Sequence, residues 1–353
     1  MRKIIYKTII FISGVLTLLA CDTIHQFPDD NPVDPTLVNV TVNIMVSQSS
    51  LSEMESEVYP INIDSDQSVK LVVEAYKYDD TETVIQRREV LVEASTIFSS
   101  GCNVVMQLNA TKYHIVTWVY YVDTNDEGNE KYFSTSNGLR NISLVTPIVA
   151  NTNNKNCFFG NFDADLTSYI NNWNVDITIP VNAEPPVGRY FLVTNDIETY
   201  LQSRSDNIDS KSVSRADIEG YYAEIIFEGY VPNGFNAYTG ELNDAITGLY
   251  YTSNIEVTGD NEAVIAMDYS LAKSLEQAAE GTVLTVTVRI YNADGEMINE
   301  QGGVEIALVR GQLTIVTSDF FTRLVTSGVT INPNYDGRYD IVIDDDGNVN
   351  YTN

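Results

Sequence analysis

The sequence predicts an all-β protein built as two tandem sandwiches with few short helices, and three observations carry that prediction. Apolar residues recur with period two in stretch after stretch, the alternation of half-buried strands. These stretches are short and closely spaced, separated by Asn, Asp and Gly turns, with little helical periodicity between them. The length, 353 residues, suffices for two domains of common size, each with its own core. No repeat of fixed period is visible, which disfavours a propeller or a solenoid.

The N-terminus reads as an export signal. Arg2, Lys3 and Lys7 form a positive region, and Ile9 to Ala20 an apolar run of signal-peptide length. That run is too short to span a bilayer comfortably. Leu18-Leu19-Ala20-Cys21 matches a bacterial lipobox, although Leu19 is less usual before the alanine. Residues 1–21 are therefore expected to be a signal peptide, with Cys21 acylated as the new N-terminus and outer-membrane lipid as its partner. Residues 22–35, polar and broken by Pro28, Pro32 and Pro35, read as an extended tether.

Strands follow in order. Val38, Val40, Val42, Ile44 and Val46 alternate with polar residues and open an N-terminal sandwich over 36–175. Residues 48–67 read as a long loop. Strands are expected at Val69–Ala75, Thr83–Val92, Val104–Leu108, His114–Val122 and Leu139–Leu144, with Phe158, Phe159 and Asp163–Leu166 closing this half. Pro180, Pro185 and Pro186 suggest a linker into a second sandwich over 176–353. There, Arg189–Thr194, Tyr222–Gly229, Leu249–Val257, Ala263–Asp268, Thr282–Tyr291, Val304–Leu308, Leu313–Val316 and Tyr339–Ile343 read as strands. Asn233-Gly234 and Thr239-Gly240 read as turns, and Ser270–Ala279 as the clearest helix, stopped by Gly281.

Charge and composition exclude more than they specify. Three of the 20 basic residues precede Cys21, leaving 17 against 49 acids after it, a formal charge of −32. Such a surface repels nucleic acid and anionic lipid headgroups. With Cys21 acylated, Cys102 and Cys157 remain as an even pair that allows one disulfide or two buried free thiols. Two histidines, His25 and His114, leave little material for a Ser-His-Asp arrangement or a histidine-rich metal site. Asp123–Gly128 and Asn332–Gly337 imitate the start of a calcium loop, but Ser134 and Ile343 stand where the bidentate glutamate belongs. Both read better as hairpin turns. No cofactor motif, catalytic residue or metal site is expected. Tyr238, Tyr250, Tyr251, Trp118 and Trp173 suit sheet packing better than a sugar-stacking platform.

From about residue 100 onward the motif order resembles the fimbrillin-type lipoproteins of Bacteroidales, the type V pilin superfamily. The resemblance rests on Leu108–Val122, Cys157–Leu166, Arg189–Asp196, Gly234–Gly248 and Val309–Ile343, the last containing Arg310-Gly-Gln-Leu-Thr and Asp336-Gly-Arg-Tyr-Asp-Ile. It implies two transthyretin-like Greek-key sandwiches, a place on the outer surface in a fimbrium, and other pilin subunits as partners. A host protein or glycan is a further expected partner. It also implies strand exchange, in which a protease removes the first strand and a neighbour's strand fills the groove, here with Val38, Val40, Val42, Ile44 and Val46 as the plug. One departure is plain. The family's activating protease cuts after Arg or Lys, yet Asp22 to Val69 contains neither, and Arg87-Arg88 is the first dibasic site. The function expected is a fimbrial structural or accessory subunit for adhesion. The alternative is a surface glycan-binding lipoprotein of a nutrient-uptake system.

Overall fold

The computed structural model describes residues 37–46, 53–124, 129–170, 175–204, 218–277, 281–323, 338–343 and 349–352. Cys21, the tether, Trp173 and the Asn332–Gly337 turn lie outside them, as does most of the Asp123–Gly128 turn.

The first sandwich packs a three-stranded sheet on a four-stranded one. The smaller sheet runs β4 (Cys102–Asn109), β1 (Leu37–Val46), β9 (Asp176–Ala183). The larger runs β3 (Asp80–Val92), β2 (Gln67–Lys77), β5 (Lys112–Asp123), β8 (Cys157–Asp165). Val38, Val40, Val42 and Ile44 from one face meet Leu71, Val73, Ala75 and Ile115 from the other, all fully buried. The alternation read in the sequence is the reason: one face of each strand enters this core.

The second sandwich repeats the design. Its sheets run β16 (Ala263–Leu271), β10 (Val187–Thr194), β19 (Leu313–Thr317), and β14 (Tyr250–Asn254), β11 (Tyr222–Phe227), β17 (Thr282–Tyr291), β18 (Met297–Leu308). Taken in chain order, seven strands of each half occupy the same places. In both, the first strand pairs antiparallel with the fourth and parallel with the last. The duplication lies in the topology and not in a readable sequence period. The second half adds β15 (Glu256–Val257) at one edge, and β20 (Arg338–Ile343) and β21 (Val349–Thr352) beyond β19.

Insertions from each half join the two. The hairpin β6 (Phe133–Ser134) and β7 (Ile142–Leu144) of the first half pairs with β12 (Val231–Asn236) and β13 (Glu241–Ile246) of the second, in the order β13-β12-β7-β6. This shared sheet covers the outer face of the β3-β2-β5-β8 sheet. Between them lies a core of Trp118, Phe133, Phe159 and Phe235, with Val187, Tyr269 and Leu271 from the second sandwich. The rings of Phe159 and Phe235 meet edge to face at 4.9 Å.

Three expectations need correction. The chain does not change sandwich at residue 176, because β9 lies parallel to β1, with Asn39 opposite Asp176 and Val46 opposite Ala183. The crossing falls at Glu184–Pro186. Pro180 is tolerated inside β9 because, among the described residues, that strand pairs only with β1 and its other edge carries no ladder. Asn233-Gly234 is not a turn but an irregular point within β12. There a Cβ on Gly234 would sit 2.6 Å from Asp244 Cβ and 3.0 Å from its backbone nitrogen, so glycine lets the strands approach. Residues 270–277 are not helical either. Ser270 and Leu271 finish β16, buried on both faces, and a turn closed by Gln277 N–H donating to Ser274 O follows. The α-helices among the described residues are α1 (Ala94–Ser99) and α2 (Ile197–Arg204).

Candidate strand-exchange seam

β1 is the central strand of its sheet. Leu37 to Ile44 run antiparallel to Asn109 to Cys102 of β4, while Asn39 to Val46 run parallel to β9. Val38, Val40, Val42 and Ile44 are wholly inaccessible and Val46 nearly so. Each such side chain contributes on the order of 1.5–3 kcal/mol by leaving water. The opposite face is polar and wet: Asn43 Nδ2 donates to Asn103 Oδ1 (2.6 Å) and Gln107 Nε2 to Asn39 Oδ1 (3.4 Å). The five candidate residues thus form one continuous apolar plug. Gly101, at φ +72°, lets the start of β4 close on it, since a Cβ there would stand 2.7 Å from the Ile44 carbonyl oxygen.

The 48–67 segment is a loop over its described part, and it is tied down at a distance. Arg189, in the otherwise apolar β10, is 1 % exposed. Its guanidinium donates to the carbonyls of Met54 (3.1 Å), Tyr59 (2.7 Å) and Pro60 (3.0 Å), and to Asn153 Oδ1 (2.8 Å). Burial pushes its pKa down, with Tyr269 and Glu55 opposing. Tyr59 stacks on Phe191 at 4.4 Å, and Leu313 N–H donates to Glu53 O. A single charge inside an eight-residue apolar strand was the available signal for this anchor.

Arg87 and Arg88 lie mid-strand in β3, paired with Glu74 and Val73 of β2. Arg87 also donates to Glu74 Oε1 (2.5 Å) and Thr135 Oγ1 (2.8 Å), and its Nε to Glu89 Oε1 (2.8 Å). Nearby, Glu130 accepts from Tyr120 Oη (2.8 Å), Ser134 Oγ (2.7 Å) and the hydroxyl and N–H of Thr135.

The disulfide that the sequence allowed is not formed. Cys102 and Cys157 are both free thiols. Cys102 starts β4 opposite Ile44 and packs on the first core, whereas Cys157 starts β8 opposite Tyr120 in the shared aromatic core. Burial pushes both thiols up, which keeps thiolate scarce. His114 Nδ1 contacts Asp163 Oδ1 (2.5 Å), and its ring packs on Tyr238. Among the described residues no group of three His, Cys, Asp or Glu side chains is arranged to hold a metal ion.

The fold is that of an all-β, two-sandwich protein whose first strand is central in its sheet and buried along one face. The chain belongs to a family of unknown function (DUF6562), whose model matches residues 32–350. No curated protein matches. Among solved structures, it is similar to polysaccharide-binding proteins, so described, from Bacteroides thetaiotaomicron (10 % identity, 87 % of this chain and 91 % of that one, TM-score 0.45). It is also similar to the fimbrial anchor protein Mfa2 of Porphyromonas gingivalis (13 %, 87 % and 90 %, TM-score 0.43). A third is a fimbrial assembly protein of Parabacteroides distasonis (9 %, 80 % and 90 %, TM-score 0.35).

Proposed function

We propose that this protein is a cell-surface fimbrial subunit for adhesion, held in the outer membrane by acyl chains on Cys21 and joined to other pilin subunits at the β1 groove. The observation that carries the reading is the place of β1: it is the central strand of its sheet, paired with β4 on one side and β9 on the other, and Val38, Val40, Val42 and Ile44 are wholly buried along one face. Removing β1 would leave the edges of β4 and β9 unpaired along an apolar slot, and a donated strand with the same alternation would satisfy both.

The missing Lys and Arg between Asp22 and Val69 decide between two fates. Between Asp22 and Val69 a trypsin-like enzyme has no site, and Arg87-Arg88 is held in the β2–β3 ladder, with Arg87 in ion pairs to Glu74 and Glu89. Without a different protease, β1 stays and the subunit anchors or terminates a fibre. A glycan-binding role would call for exposed, co-facing tryptophans. Trp118 is fully buried, so this reading has no support from it.

The test is the mature N-terminus of surface-sheared protein by mass spectrometry, alongside heat-resistant ladders on a gel. Acylated Cys21 without a ladder identifies an anchor or terminal subunit. An N-terminus beyond residue 47 with a ladder identifies a polymerising subunit cut by a non-tryptic protease. An unacylated chain starting before residue 37, with no ladder, overturns the proposal.

A further inference from the structure

An open groove of about 670 Å³ lies at the junction of the two sandwiches, lined by β8, the β9–β10 crossing, the turn after β16 and the turn between β18 and β19. Arg310 is the one cation among its lining residues. The guanidinium lies over the rings of Phe159 (5.1 Å) and Phe235 (5.4 Å), and Nη2 donates to Gly240 O (2.8 Å) and Gln277 Oε1 (3.2 Å). These contacts fix the plane of the fork. Among the described residues Nη1 has no hydrogen-bond partner, and it is not sealed from solvent. Two N–H donors are therefore held in place, open and uncommitted. Beside them, Asn182 and Asn161 are exposed; the Asn182 amide makes no hydrogen bond, and Asn161 uses only Nδ2, on Tyr238 O (3.5 Å).

Nη1 calls for an oxygen acceptor, and charge decides which kind. An anion would supply one, but the exposed carboxylates of Glu53, Glu184 and Glu276 line the same groove, three against one guanidinium, in a strongly acidic chain. A cation supplies no acceptor. What remains is a neutral ligand that accepts from Arg310, donates to the carboxylates and does both with the amides. Adjacent hydroxyls meet all three demands in one molecule. We propose that this groove binds a neutral oligosaccharide, with Arg310 Nη1 donating to neighbouring hydroxyl oxygens and Asn182 and Glu184 fixing the hydroxyls beside them.

Size and backbone pairing agree. A six-membered ring such as benzene occupies about 150 Å³, so the groove has room for about two or three sugar rings. An extended peptide also carries donors and acceptors, but it binds best by adding to an open strand edge. Here Phe159 and Glu184 already exchange both N–H to carbonyl bonds, at 2.9 Å each. No tryptophan lines the groove, so hydroxyl hydrogen bonds and not ring stacking carry the recognition. None of the lining residues belongs to β1, and the inference is independent of whether that strand is exchanged.

The test is titration of the full chain with cellotriose, maltotriose, mannotriose and diacetylchitobiose, read by calorimetry and saturation-transfer NMR. Trigalacturonate serves as the acidic probe and acetyl-tetraglycine amide as the peptide. At least one neutral sugar is expected to bind saturably, and more tightly than either of those two. Asn182→Ala should weaken that sugar by about three- to tenfold, the worth of one hydrogen bond. Arg310→Lys keeps the charge but loses the fork, and should weaken it by at least about tenfold. Three results would each overturn the proposal: no neutral sugar binding, trigalacturonate or the peptide binding more tightly than every neutral sugar, or either folded variant keeping the unaltered affinity. Asn182 is exposed and its side chain makes no hydrogen bond, so its variant decides even where Arg310→Lys fails to fold.

Discussion

Single side chains hold the parts of this protein that sequence alignment with itself cannot reveal. Val42 lies wholly inside the first core, between Val104 of β4 and Ile179 of β9. Val42→Asp buries an unpaired charge and should destabilise the first sandwich by at least about 3 kcal/mol. Urea denaturation followed through Trp118 tests this, and an unchanged midpoint would refute the placement of β1. Arg189 works at longer range, on carbonyls about 130 residues earlier in the chain. Arg189→Leu should free the 53–61 segment, which a glutamate-specific protease would then cut at Glu53, Glu55 or Glu57 much faster than in the unaltered chain. Glu130 supplies a pH signature. Burial alone would raise its carboxyl, but the hydroxyls of Ser134, Thr135 and Tyr120 donate to it and hold it below the ordinary value. A depressed folded value means that its stabilisation is complete above the unfolded range and is lost as pH falls through the folded one. Stability should therefore decline below about pH 4.5, and Glu130→Gln should flatten that decline while costing about 1–3 kcal/mol at neutral pH.

At the scale of elements, period two was a dependable guide wherever one face meets core and the other meets water. β1, β2, β5, β11 and β17 all fall where alternation or β-branched runs place them. The signal weakened where burial is two-sided or local chemistry is ambiguous. Residues 270–277 have good helix-forming composition, but Ser270 and Leu271 belong to the buried end of β16 and the rest close in a turn. β9 was hidden by Pro180, which usually argues against a strand and here marks a sheet edge. β12 was hidden by Asn233-Gly234, a turn signal used instead for close backbone approach. β1 was legible as five alternating residues, and its neighbours were not, because register is a property of pairing and not of one strand. Gly101→Ala tests the seam as an element. It forces a strained backbone and a Cβ onto the Ile44 carbonyl, so a loss of about 1–3 kcal/mol is expected from thermal or urea unfolding.

At the scale of the molecule, the buried Lys155–Asp268 ion pair was illegible beforehand, because residues 155 and 268 meet only through the docking of two sandwiches. The shared β13-β12-β7-β6 sheet and the aromatic core beneath it make that docking part of the fold. The two sandwiches should therefore unfold in one transition, with Trp118 fluorescence and far-ultraviolet circular dichroism coincident. Phe235→Ala removes the ring that touches both Trp118 and Phe159. It should cost about 3–5 kcal/mol and split the transition in two.

The parallel pairing of β1 with β9 carries a mechanical consequence. A pull on the chain ahead of residue 37 runs along β1 and loads its hydrogen bonds to both neighbours together, in shear, rather than opening them one at a time from an end. Under the proposed N-terminal anchorage, such a pull would be resisted by the whole length of one strand at once.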